Sequence, residues 1–268
     1  AVAVVSGRDG LDVVMVVGGQ SETRGYSDVW NAVLSASPTD HNVTWVALHA
    51  DGTAPFGARV GSKLAVCEPV VAVVGGVRLL NPAGPLHNRS EVVATDVWTT
   101  TDRGATWIPQ QPWTFSDRTH VAVAGVGRRI IVAGGLNTTV QDGKKVRVRF
   151  DDVWAMDLST LSPSWQILAD AAPFGPVSHA ELVPDPELAD RVFLIGGRMR
   201  CRETAGEWCA QPSVWHGSGG LGNSEWARIS DCAAWGRRIG FGALSFPALI
   251  PRAAAPSSSS PASSSSAP

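Results

Sequence analysis

Arginine and histidine recur at fixed offsets from aromatic residues in this chain. Aromatics stand at Phe56, Phe115, Phe174 and Trp235, and three residues after each stand Arg59, Arg118, Val177 and Arg238. Two further on stand Gly61, His120, His179 and Gly240. A guanidinium binds carboxylates through paired, charge-assisted hydrogen bonds. Arg59, Arg118, His120, His179 and Arg238 are therefore the candidate ligand-binding residues, suited to an anion such as a carboxylate or a glycan acid. The same arginines can instead cap backbone carbonyls or pair with an Asp. Other chemistry has little support. His41, His49, His87 and His216 show no ligand spacing and no CxxC zinc pattern occurs, so no metal site is expected. No Ser-His-Asp pattern, phosphate loop or paired-carboxylate motif stands out, so no catalytic residue and no cofactor is expected.

The elements that carry these residues are repeats. Val13-Val14-Met15-Val16-Val17-Gly18-Gly19 returns as Val70–Gly76, as Ile130–Gly135 and as Val192–Gly197. The second glycines fall at 19, 76, 135 and 197, giving spacings of 57, 59 and 62. A period of this length marks a repeat architecture. Each unit reads as four short strands: one before the Gly-Gly strand, the Gly-Gly strand itself, a third starting at Asp28-Val29-Trp30 or its equivalents, and a fourth bearing a second Trp. The equivalents are Asp96-Val97-Trp98, Asp152-Val153-Trp154 and Ser213-Val214-Trp215, followed by Trp107, Trp165 and Trp226, with Trp45 in the first unit. These two positions hold eight of the 11 Trp, so the indoles are expected to pack rather than to stack on ligands. Both faces of a unit are apolar, and stacking copies face to face buries them.

An apolar strand, Gly-Gly, a variable loop, Asp-Val-Trp and a second Trp, in order four times, resemble the kelch repeat. The resemblance covers residues 1–246 and implies an all-β, kelch-type β-propeller with one four-stranded blade per repeat. The count departs from the family: four blades plus one extra strand, Ile239 to Phe246, which reads as an incomplete or a four-bladed ring. In a propeller the Arg and His positions gather near the central channel. Thr100-Thr101-Asp102-Arg103-Gly104-Ala105-Thr106-Trp107 resembles the Asp-box turn of sialidases and is expected to be a hairpin turn. Copper oxidases on kelch propellers and sialidases both use tyrosine. The sole tyrosine, Tyr26 in a loop beside Gly25, supports neither site.

Strand alternation puts the second-to-third strand loops and the links between blades on one face. That face is expected to bind a protein or glycan. Cys201 and Cys209 flank one such loop and are expected to form a disulfide; Cys232 lies on the same face and Cys67 on the other. Sequons at Asn42, Asn88 and Asn137 and an even number of cysteines point to an extracellular or cell-surface glycoprotein. The first residues, Ala1-Val2-Ala3-Val4-Val5, read as a strand and not a signal peptide, as in a processed chain or excised domain. Residues 247–268 are rich in Ala, Ser and Pro and read as a linker or tail, similar in composition to hydroxyproline-rich stalks of plant and algal surface proteins. The net charge of −2 gives no electrostatic case for nucleic acid. No apolar run approaches the roughly 18 residues of a membrane span. The expected function is a non-catalytic, extracellular protein- or glycan-binding module that can form part of a surface or fibrous assembly. The alternative is a glycan-active enzyme that uses an Arg/His ring near the channel.

Overall fold

The computed structural model describes residues 1–6, 12–33, 43–83, 90–200, 208–218, 220–237 and 239. Sheet one is β1 (Val2–Ser6), β2 (Asp12–Gln20), β3 (Gly25–Val33) and β4 (Thr44–His49). After β5 (Arg59–Val60), sheet two begins with β6 (Lys63–Cys67) and β7 (Val70–Val74). It is interrupted by β8 (Val77–Leu79) and β9 (Glu91–Val93), then completed by β10 (Val97–Thr100) and β11 (Ile108–Gln110). Sheet three is β12 (Ala122–Val126) and β13 (Arg129–Ala133), then, past the hairpin β14 (Leu136–Gln141) and β15 (Lys144–Arg149), β16 (Val153–Asp157) and β17 (Trp165–Ala169). Sheet four repeats this with β18 (Glu181–Pro184), β19 (Val192–Ile195), the hairpin β20 (Arg198–Arg200) and β21 (Trp208–Ala210), β22 (Val214–Gly217) and β23 (Trp226–Ser230). All four are antiparallel meanders, in sequence order from the inner to the outer strand. The chain is thus all-β, with four four-stranded sheets in a β-propeller-like arrangement. The expected extra strand over 239–246 lies outside the described residues apart from Ile239.

Packing between sheets explains the composition. β7 and β12 are buried at every residue, because each side of the sheet meets a neighbour. Val5, Met15, Val17 and Val29 of sheet one pack on Val71 and Val73 of sheet two. Ala65, Ala72 and Val74 pack on Val123, Ile130 and Val132 of sheet three. Ala124, Ile131 and Ala133 pack on Leu182, Val192 and Leu194 of sheet four. Among the described residues no apolar cluster joins sheet four to sheet one. The opening aromatic of each repeat meets the fourth-strand indole of the same repeat edge to face. Phe56–Trp107, Phe115–Trp165 and Phe174–Trp226 have ring centroids 5.3, 5.4 and 5.1 Å apart. Edge-to-face pairing of this kind adds to the area the rings bury.

The turn at Asp102 is local. Its carboxylate accepts the Thr106 N–H at 2.9 Å and the Thr100 hydroxyl at 2.7 Å, and the Asn31 amide of sheet one donates to the Arg103 carbonyl at 2.8 Å. These bonds account for the motif as a hairpin turn clipped to the neighbouring sheet.

Gly125 shows how closely the inner strands approach. A β-carbon there would lie 2.0 Å from the Val66 carbonyl oxygen and 2.9 Å from Cys67 Sγ, on the inner strand of sheet two. Because that obstacle is backbone, Gly125→Ala is expected to destabilise the chain by about 3 kcal/mol, the upper end of ordinary overpacking. Urea denaturation measures it. A loss below about 0.5 kcal/mol, the usual scatter of surface substitutions, would mean that the strands can separate there at little cost.

The cysteines correct one expectation. Among the described residues no two cysteines lie at disulfide distance, so no disulfide staples the described sheets to one another. Cys67 and Cys232 are free thiols, Cys209 is disulfide-bonded, and Cys201, its expected partner, lies outside the described residues. Cys67 is buried between sheets two and three; burial pushes its thiol up to about 12. Among the described residues no helix is long and apolar enough to cross a membrane.

Candidate functional site at the inner rim

The repeated arginines turn inward. Arg59 is 0% and Arg118 2% exposed. Arg59 grips Asp96 with both terminal nitrogens, at 3.0 and 2.9 Å, and donates to the Gly75 carbonyl at 3.3 Å. Arg118 grips Asp152 at 2.5 and 3.1 Å and donates to the Gly134 carbonyl at 3.1 Å. The same carboxylates accept the indole N–H groups of Trp98 and Trp154, each at 2.8 Å. Burial pushes the Asp96 carboxyl up, but the hydrogen bonds and charge of Arg59 and the Trp98 N–H outweigh it, and the net shift is downward. The Arg–Asp–Trp set thus fastens the third strand to the repeat opening, across the Gly-Gly turn. Gly134 and Gly135 have φ of 63° and 112°, and a β-carbon on Gly134 would meet the Val177 carbonyl oxygen at 2.6 Å. Only glycine tolerates that combination.

The fourth repeat confirms the logic by omission. Where Val177 replaces the arginine, Ser213 replaces the aspartate. The Trp215 indole N–H is then buried without an acceptor. Arg59 and Arg118 therefore fasten their own repeats and are not free for a ligand, which corrects their expected place in an anion-binding ring. Arg238 lies outside the described residues.

The histidines behave differently. Each stands two residues before the first residue of an inner strand: Lys63 begins β6, Ala122 begins β12 and Glu181 begins β18. In repeat two this place is Gly61, with φ of 65°; His120 and His179 occupy it with φ of 56° and 59°. A left-handed backbone at a residue with a β-carbon costs about 1–3 kcal/mol and clusters at functional sites. The two rings stack, 3.8 Å between centroids and 28° between planes. The His179 N–H donates to the His120 carbonyl at 3.0 Å, which fixes the stack through the backbone. His120 is exposed at the rim and His179 is half-buried.

Two charged groups that sequence reasoning missed complete the rim. The Lys63 ammonium of sheet two pairs with Glu181 of sheet four. Glu181 is buried, and burial raises its carboxyl although Lys63 opposes the shift. Above the histidines lie the hairpins that follow the Gly-Gly turns. The Arg149 Nε–H of β15 donates to Ser178 Oγ at 3.0 Å, and its guanidinium lies 4.0 Å from the Trp208 ring centroid. Arg198 of β20 shares a bridge with Ser178. Neither Arg149 nor Arg198 meets a carboxylate among the described residues. Lys63, Arg149 and Arg198 thus face a single acid, Glu181, and the rim is net positive.

Burial, then the nearby charges of His120, Arg198, Arg149 and Lys63, lower His179 to about 4. Burial and then Lys63 lower His120 as well. Both rings are neutral at pH 7. A histidine depressed in the folded state resists protonation there but accepts it when unfolded. Its stability contribution is therefore full above the unfolded value of 6.5 and is lost as pH falls toward about 4. Urea midpoints are expected to drop across that window. His179→Asn is expected to flatten the slope there; an unchanged slope would show that His179 titrates as in the unfolded chain.

A cavity of about 480 Å³ lies on the other side of the β20–β21 hairpin, walled by Phe174, Met199, Trp215 and Arg228. It holds no histidine and only one acid, Asp231, so it offers less chemistry than the rim.

No protein-family model and no curated protein matches the chain. Among solved structures, that of YjhT is similar, with 14% identity over 84% of this chain and 67% of that chain and a TM-score of 0.54. At this identity the likeness shows the fold, a β-propeller-like stack of four-stranded sheets. The expectation of a non-catalytic protein- or glycan-binding module is not kept, because the rim gathers titratable groups that the sequence reading left apart. That expectation rested on finding no catalytic constellation along the sequence. The fold brings His120, His179, Lys63 and Glu181 together at the rim.

Proposed function

We propose that the chain is a glycan-active enzyme of the kelch type, acting at the inner rim on a sugar that carries a carboxylate. The observation that carries the proposal is the stacked, neutral histidine pair held at positive φ beside Lys63 and Glu181. A neutral imidazole can accept a proton at its bare nitrogen and donate a hydrogen bond from the other. Arg149 and Arg198, without a carboxylate among the described residues, supply the charge that attracts and orients an acidic substrate. The kelch reading rests on Gly-Gly, Asp-Val-Trp and the second Trp recurring in order. The binding surface in this reading is the face of the second-to-third strand loops, which the hairpins after the Gly-Gly turns support. Asn137, at the start of β14, belongs to that face and is an N-glycosylation site in this reading; the other sequons, at Asn42 and Asn88, lie outside the described residues. An extracellular or cell-surface location, with the Ala/Ser/Pro segment as tether, follows from the sequons and that segment.

The test is a panel of sugars in matched pairs, each uronic or other acidic sugar beside its neutral counterpart, followed by NMR for any change in the substrate. Turnover confined to the acidic members is the expected result. No turnover across the panel, or equal turnover of both members of each pair, would remove the proposal or its charge requirement respectively.

A further inference from the structure

The two rim histidines look alike in the repeat, yet their hydroxyl neighbours are wired differently. Each imidazole Nδ1 meets the hydroxyl of the preceding residue: His120 meets Thr119 Oγ1 at 2.8 Å, and His179 meets Ser178 Oγ at 3.1 Å. A hydroxyl has one proton to give. The Thr119 hydroxyl gives its proton to the Leu136 carbonyl, at 3.3 Å. It can then only accept from His120, whose Nδ1 must carry the hydrogen. Ser178 receives the Arg149 Nε–H at 3.0 Å and has no carbonyl to donate to among the described residues. Its own proton is free for His179, whose Nδ1 must then be bare.

From this wiring we infer that the pair is held in opposite tautomers, with His120 bare at Nε2 and His179 protonated at Nε2, so that His120 is the base and His179 the hydrogen-bond donor of the rim. The assignment of catalytic roles rests on the enzyme reading above; the tautomers themselves do not. Thr119, Ser178 and Arg149 are positioning residues that act through the rings. Neither Nε2 has a hydrogen-bond partner among the described residues, so both are available to a substrate. Repeat two shows the place without this apparatus, with Val60 and Gly61 where repeats three and four have Thr119-His120 and Ser178-His179.

The proton accounting is direct. A substrate hydroxyl passes its proton to Nε2 of His120, and its freed electron pair forms the new bond to the reacting carbon. The bond from that carbon to the departing oxygen breaks; that oxygen keeps the electrons, accepts a hydrogen bond from the Nε2–H of His179 and takes its proton from water. Exchange with water returns His120 to its starting form.

Long-range ¹H–¹⁵N correlation NMR on the full chain with ¹⁵N-labelled histidine reads the tautomers without any substrate. His120 is expected to show its bare-nitrogen signal at Nε2, and His179 at Nδ1. Single His→Asn variants assign the rings. Thr119→Val is expected to abolish the single-tautomer signature of His120 and leave that of His179 unchanged. Ser178→Ala and Arg149→Gln are expected to do the reverse, and Thr119→Ser and Ser178→Thr to restore the parent pattern. The same tautomer on both rings, or signatures that Thr119→Val and Ser178→Ala leave unmoved, would overturn the inference. The parent spectrum alone decides it should a variant not fold. Opposite tautomers without turnover of any sugar would leave the wiring standing and remove the enzyme reading; turnover with like tautomers would do the opposite.

Discussion

Replacing both rim histidines, His120→Asn with His179→Asn, is expected to lower turnover of an acidic sugar by about 100- to 10,000-fold, the range that positioned acid–base groups supply. Asparagine is chosen because it tolerates the left-handed backbone that both positions adopt, at φ of 56° and 59°. The fold should therefore survive, and the far-UV spectrum and urea midpoint at pH 7 check that it does. Each single variant should lose nearly as much as the double, since residues that work as a unit are strongly non-additive. A double histidine variant that keeps more than about a tenth of the parent turnover would place the chemistry elsewhere.

The second large effect concerns stability. Arg118→Met is expected to cost about 3–5 kcal/mol, because it strands Asp152 as an uncompensated carboxylate in a largely buried site. The loss also releases the Gly134 carbonyl, which accepts from the same guanidinium. The fourth repeat supplies the remedy. Val177 and Ser213 stand there in place of the arginine and aspartate, and the sheet still forms. The pair Arg118→Val with Asp152→Ser is therefore expected to recover much of the single variant's loss, as removing both partners of a buried ion pair usually costs less than removing one. Urea denaturation of the two singles and the double closes the cycle. A single-variant loss below about 1 kcal/mol, the worth of an exposed ion pair, would mean that the bridge is no more than a surface contact. Acid acts in the same direction on repeat two. Asp96 is held below its ordinary value, so the stability it lends is present above the unfolded carboxylate range and is lost as pH falls through its lower folded value.

The sheets were legible because their signals are local and repeated. Four Gly-Gly strands and paired indoles identify the meander without any long-range information. The arginines were ambiguous for a physical reason. An arginine three residues after an aromatic looks the same whether it meets a ligand or an aspartate 37 or 34 residues further along. Only Asp-Val-Trp beside Phe-x-x-Arg in repeats two and three, with Ser-Val-Trp beside Val177 in the fourth, carried the answer, as a paired absence. Lys63 and Glu181 were missed because they lie 118 residues apart. A signal existed: each is a charged residue opening an otherwise apolar inner strand, at the place Ala122 fills in repeat three. The opposite wiring of Thr119 and Ser178 had no sequence signal. It depends on which carbonyl and which guanidinium the hairpins bring within reach.

One feature of the Arg–Asp–Trp set reaches beyond stability. Arginine, aspartate, indole and capped carbonyl all come from one repeat, whereas the surfaces between repeats are built from Val, Ala, Ile and Leu. A duplicated or excised repeat carries its own counter-charge with it and exposes a mainly apolar surface to its new neighbour. Gene segments cut at the Phe-x-x-Arg openings are therefore interchangeable parts. The rim is the exception, since Lys63 and Glu181 belong to different repeats and their pairing survives only in this order.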